Sequence, residues 1–126
     1  MTRLVPTKGS DFRLERQMAV VVPSTRFEKP VSKAEFRRRV KQTRDKLHRT
    51  FGGTTRTVGV GTFTSERLKP GLTVEEDVVV VESYADQPVW TKKKNEMIKW
   101  LRSKAREWGQ ESVAFEFEGD LFIVNP

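Results

Sequence analysis

The carboxylates of Glu116, Glu118 and Asp120 come nearest to a metal-ligating pattern in this sequence. Alternation along a strand would put Glu116 and Glu118 on one face, with Asp120 in the following turn. Paired carboxylates of this kind can hold Mg2+ for phosphodiester chemistry. The competing reading is a charged sheet edge that resists aggregation, and no Asp or His from a second element is clearly aimed at the trio. His48 is the single histidine, and one imidazole cannot make a multi-histidine metal site. It reads as an ordinary surface residue. Ser24, Thr25 and Arg26 lie just before a helix, whose free N–H groups could hold a phosphate beside them. They form the candidate anion site. The chain has no cysteine, which removes disulfides and thiolate metal sites. No metal and no cofactor is expected.

The largest chemical signal is charge. Residues 32–51 hold eight basic residues against two acidic ones, and residues 91–108 hold seven against two. These two segments therefore carry +11 in a chain of net +7, which leaves −4 for the remainder. Such polarity points to an anionic partner for the helical side. The residues placed at that contact are Arg37, Arg38, Lys41, Arg44 and Arg49 in the first segment, with Lys92, Lys99, Arg102 and Arg106 in the second. The bland alternative is a solvated helix face with i,i+4 pairs.

The elements that must position these groups can be read from periodicity. At 126 residues, with 36% hydrophobic and 33% charged, the chain fits one globular domain, residues 17–126, behind an extended arm over residues 1–16. The arm has room for a short edge strand at Arg3-Leu4-Val5. Met18 to Val22 reads as a strand stopped by Pro23. Ser32, with Glu35 three residues later, opens a helix whose apolar stripe is Phe36, Val40, Thr43, Leu47 and Phe51. Gly52 ends it. Thr57 to Thr64 is a strand weakened by two glycines, Val78 to Val81 a second apolar strand, and Pro70-Gly71 a turn between them. Thr91 caps the second helix, with Met97, Ile98, Leu101, Ala105 and Trp108 inward. Val113 to Glu118 alternates, and Gly119-Asp120 turns it into a last strand, Leu121 to Val124.

This order predicts an α+β fold, a ferredoxin-like split β-α-β-β-α-β two-layer sandwich with an antiparallel sheet. Both helices cover one face, and an extra C-terminal hairpin strand extends the sheet. Right-handed crossovers give the order 4-1-3-2. Val20 and Val22 with Val78 and Val80 are expected on one face, and Val21 with Val79 and Val81 on the other. Both faces are then apolar at the centre. A second copy covering the bare face is the economical solution, so a homodimer is expected; the arm folding across is the alternative.

The glycine loop with its arginine that marks acylphosphatases is absent, as are the paired histidines of HUH transposases. Strands 1 and 3 lack the base-stacking aromatics of an RNA-recognition motif. No apolar run approaches a membrane span of roughly 20 residues, and the opening MTRLVPTKGS lacks the apolar core expected of a signal peptide. The reading is a cytoplasmic, non-enzymatic protein that contacts DNA or RNA backbone through its two basic helices, with little sequence preference. Two alternatives stand beside it. One is a small enzyme acting on a phosphorylated substrate near Arg26. The other is a viral or mobile-element assembly protein that works through its open sheet face.

Overall fold

The computed structural model describes residue 14 and residues 16–65 and 71–126. Residues 1–13 and 15 of the N-terminal arm, with its Arg3–Val5 strand, and Pro70 of the Pro70-Gly71 turn lie outside the described residues.

The elements run β1 (Arg16–Pro23), β2 (Thr25–Arg26), β3 (Lys29–Pro30), α1 (Lys33–Phe51), β4 (Thr54–Ser65), β5 (Leu72–Ala85), α2 (Gln87–Glu107), β6 (Val113–Phe117) and β7 (Asp120–Val124). Five strands form one antiparallel sheet in the order β4-β5-β1-β6-β7. The strands richest in valine, β1 and β5, lie inside it, and glycine-bearing β4 is an edge. The segment between β1 and α1 folds into a two-stranded hairpin, β2-β3, which the sequence reading leaves as a loop.

Local chemistry sets the helix ends. Ser32 Oγ accepts the Glu35 N–H at 3.1 Å, and Gly52 closes α1 at φ +113°, where a side chain would be strained. The second helix starts earlier than Thr91. Asp86 caps it, accepting the Val89 N–H at 2.9 Å, and Pro88 sits in the first turn, where its missing N–H costs nothing. Val40, Thr43 and Leu47 of α1 and Met97, Leu101, Ala105 and Trp108 at α2 are buried against one sheet face. Trp90 stacks on Phe117 with ring centroids 3.8 Å apart and extends the aromatic packing to Phe51 and Phe115.

Register decides which valines face the helices. Val20 pairs with Val81, Val21 with Val80 and Val22 with Val79. Cross-strand partners share a face. Val20, Val22, Val79 and Val81 therefore point to the helices, and Val21, Val78 and Val80 to the open face. The expected grouping of β5 is off by one residue, because a run of four valines carries no polar marker of phase.

Candidate active site

The open face carries a groove of about 330 Å3 at the end of the sheet where β1 stops. Val21 and Val78 form its floor. Phe63 comes from one sheet edge, and Leu121 and Ile123 from the other. Gln110, Glu111 and Ser112, on the connection from α2 to β6, close one side. Residues from both edges meet around one space, so this face is concave.

Glu76 is the carboxylate that β5 brings into this apolar setting. It shares the open face with Val78 and Val80 by strand alternation. Its Oε2 accepts the Ser24 N–H at 3.1 Å. Burial pushes its carboxyl above the ordinary range, and the nearby Thr25 hydroxyl, the Ser24 N–H and the Arg39 charge pull it partly back. The Thr25 hydroxyl is itself buried and closes no hydrogen bond of full geometry. Across the β4–β5 ladder stands Gly61. A Cβ there would meet only Val78 Cγ1, at 3.4 Å, so ordinary packing does not forbid a side chain. Its absence leaves space above the carboxylate.

The support for Glu76 comes from an arginine. Arg39 is fully buried. Its Nη1 donates to the carbonyls of Pro23 at 2.9 Å and Thr25 at 2.7 Å, and its Nε to Glu35 Oε2 at 3.0 Å. Its guanidinium lies 5.5 Å from the Trp108 ring centre. Gln110 Nε2 donates to the same Thr25 carbonyl at 2.5 Å.

Of the residues singled out in the sequence, Ser24 and Thr25 meet Glu76, and the others fall elsewhere. Arg37, Arg49, Lys92, Lys99 and Arg106 are exposed on the helices. Arg38 is tied to Glu35 at 2.6 Å and Lys41 to Asp45 at 2.7 Å, with Arg44 3.6 Å from Asp45; Arg102 donates to the Asn125 carbonyl at 3.2 Å. Lys46 bridges the helices to Glu96 at 2.7 Å. Much of the helix charge is thus engaged in local pairs. Ser24 and Arg26 are engaged with other partners. Arg26 donates to the Glu107 carbonyl at 2.6 Å, at the far end of α2, and Ser24 faces a carboxylate. Glu118 does not share a strand face with Glu116. It sits in the β6–β7 turn at φ +51° and accepts the Gln17 N–H at 3.2 Å. Among the described residues, no three His, Asp or Glu side chains converge as a metal site, and no helix is long and apolar enough to cross a membrane.

Glu76 escaped the sequence reading. The usable signal was its parity: it is two residues before Val78, on an apolar strand face. In the sequence Arg39 is one of the eight basic residues of 32–51 and nothing more. Its burial depends on carbonyls of two distant elements, and α1 alone gives no sign of them.

No protein-family profile and no curated protein matches the chain. Solved structures do. A phage SAM lyase in complex with S-methyl-5'-thioadenosine superposes with a TM-score of 0.66 at 17% identity, over 91% of this chain and 95% of that one. A phage SAM lyase in the apo state gives 0.61 at 18%, over 91% and 94%. The likeness establishes a shared fold. It also corrects the expectation of a non-enzymatic nucleic-acid binder, which rested on helix charge alone: this is a fold that an enzyme uses over nearly its whole length.

Proposed function

We propose that the chain is an enzyme that cleaves S-adenosylmethionine, releasing S-methyl-5'-thioadenosine, with the groove around Glu76 as its active site. One observation carries the reading: a half-buried carboxylate in an apolar groove, on a fold shared with a SAM lyase. The substrate is a sulfonium cation with an adenosine on one arm. An apolar groove suits the adenosine and a buried anion suits the sulfonium. We read the topology as the ferredoxin-like split β-α-β-β-α-β. A substrate of this class is an intracellular metabolite, which supports reading the protein as cytoplasmic.

The charge asymmetry then has a different meaning. Outside the two helical segments the chain is at −4. Glu76 and Glu111 line the groove, and Glu82 and Glu116 flank Ala19 on the same face. The acidic side is the side that draws a cation.

Release of the thioether breaks the bond from sulfur to Cγ of the methionine chain. The electron pair leaves with sulfur, and the positive charge disappears. Apolar walls disfavour the cation relative to the neutral product. Cγ takes up a new bond in one of two ways: the Cβ–H electron pair becomes a Cβ=Cγ double bond as a base removes that proton, or the fragment's own carboxylate attacks Cγ and closes a lactone. Both routes balance without an oxidant. In the first, Glu76 is placed to take the proton; in the second, it holds the sulfonium in register.

The experiment is incubation of the purified chain with S-adenosylmethionine at neutral pH, with chromatography for S-methyl-5'-thioadenosine. Product should form, and Glu76→Gln should slow it by about 100-fold or more. No product, together with no calorimetric binding of S-methyl-5'-thioadenosine, rejects the reading.

A further inference from the structure

The peptide group between Pro23 and Ser24 is held from both ends. Its carbonyl oxygen accepts from Arg39 Nη1 at 2.9 Å. Its N–H, on Ser24, donates to Glu76 Oε2 at 3.1 Å. A cation and an anion thus sit at opposite ends of one amide dipole. Each hydrogen bond polarises the amide in the sense that strengthens the other.

Arg39 is an expensive residue for its place. A fully buried guanidinium is costly unless its donors are met. An apolar residue would serve α1 packing there, since Val40, Thr43 and Leu47 already supply the buried stripe. What a guanidinium adds is a fork: one nitrogen takes the carbonyls on either side of Ser24, and Nε is anchored to Glu35. The fork fixes the direction of the Ser24 N–H.

We propose that Arg39 is a positioning residue for Glu76, acting through the single Pro23–Ser24 peptide group. This rests on the reading of Glu76 as the anion that meets the substrate. The charged groups near Glu76 are few. Glu111 lines the same groove from the α2–β6 connection. Glu75 and Asp77, its neighbours on β5, line a second, smaller pocket with Glu76, beside Ser24, Thr25 and Pro30. Arg26, on β2, acts on Arg39. The groove positions on β4, β6 and β7, which include Gly61, Phe63, Ala114, Leu121 and Ile123, bring no titratable group. Arg39 is the cation that offsets the burial of Glu76.

The test is NMR titration of the Glu76 carboxyl carbon and the Ser24 amide, in wild type, Arg39→Gln and Arg39→Lys. In wild type the Ser24 amide should titrate with the Glu76 midpoint. Arg39→Gln keeps a donor and removes the charge, so the midpoint should move to higher pH and the acid limb of the pH–rate profile with it. Arg39→Lys keeps the charge and should stay closer to wild type. A Gln variant that melts earlier but leaves the Glu76 midpoint in place makes Arg39 purely structural and overturns the proposal. If neither variant folds, wild type decides. A Ser24 amide that does not follow Glu76, or that titrates unchanged in Glu76→Gln, overturns it as well. The two readings can fail separately: coupled titration without turnover rejects the lyase, and turnover with an uncoupled Ser24 rejects the relay.

Discussion

Gly61 stands directly across the β4–β5 ladder from Glu76, so the half-buried carboxylate faces a position without a side chain. The gap is permitted by packing and not demanded by it. Gly61 has ordinary strand geometry, and a Cβ would touch Val78 at a normal distance. Gly61→Leu should therefore fold, with a stability change within about 1 kcal/mol. It should weaken binding of S-methyl-5'-thioadenosine at least tenfold, measured by calorimetry. Unchanged affinity would place the ligand elsewhere.

Glu76→Gln should raise the melting temperature while it removes activity. The Glu76 carboxyl titrates above its ordinary value of 4.5 because of burial. A raised acid costs the fold nothing below its unfolded value, and the cost is complete above its folded value. At neutral pH the neutral amide escapes it. Glu76 is only half-buried and solvent screens the penalty, so the expected gain is below about 1 kcal/mol, a few degrees at most by calorimetry. The difference between the two proteins should shrink as pH falls toward 4.5.

Glu35 has the opposite sign. Burial opposes its ionisation, but hydrogen bonds from Arg38 and Arg39 hold it below 4.5. Its stabilising contribution is complete above the unfolded value and disappears as pH drops through the lower folded one. Glu35→Ala should cost about 2–3 kcal/mol at pH 7, since it strips a charged partner from a buried arginine. Denaturant titrations at pH 7 and pH 3 should give a smaller gap at the lower pH.

Self-association through the open face, which would set the groove at the seam between two copies, is the remaining expectation. Leu121 and Ile123 are 60% and 55% exposed there, beside half-buried Val21 and Val80. Light scattering at tens of micromolar should give a mass above the 14.6 kDa monomer, about double for the expected dimer. Val80→Asp, which faces away from the helices, should return the monomer. A wild-type monomer at that concentration disposes of the idea.

The two helices, their stripes and the Ser32 cap were legible in the sequence because each depends on residues within a turn or two. The strand order was legible too, since right-handed crossovers leave few choices. The phase of Val78 to Val81 was not, because four like residues look the same from either face. Asp86 was passed over for Thr91 because Pro88 reads as a helix boundary, although proline belongs inside the first turn. The site itself was hidden for a different reason. Its parts are a backbone N–H, a missing side chain and an arginine buried by partners from β1, β2 and α2. Only Glu76 has a chemically distinctive side chain, and its setting is tertiary.

Period-two alternation divides each central strand by the parity of its residue numbers. In β5 the odd positions 79, 81, 83 and 85 hold the helix layer, while the even positions 76, 78, 80 and 82 form the working face. In β1 the parity is reversed, with 18, 20 and 22 inward. One set of positions can drift to recognise a new ligand while the other keeps the chain folded. A scaffold wired this way can keep its shape long after its sequence has ceased to be recognisable.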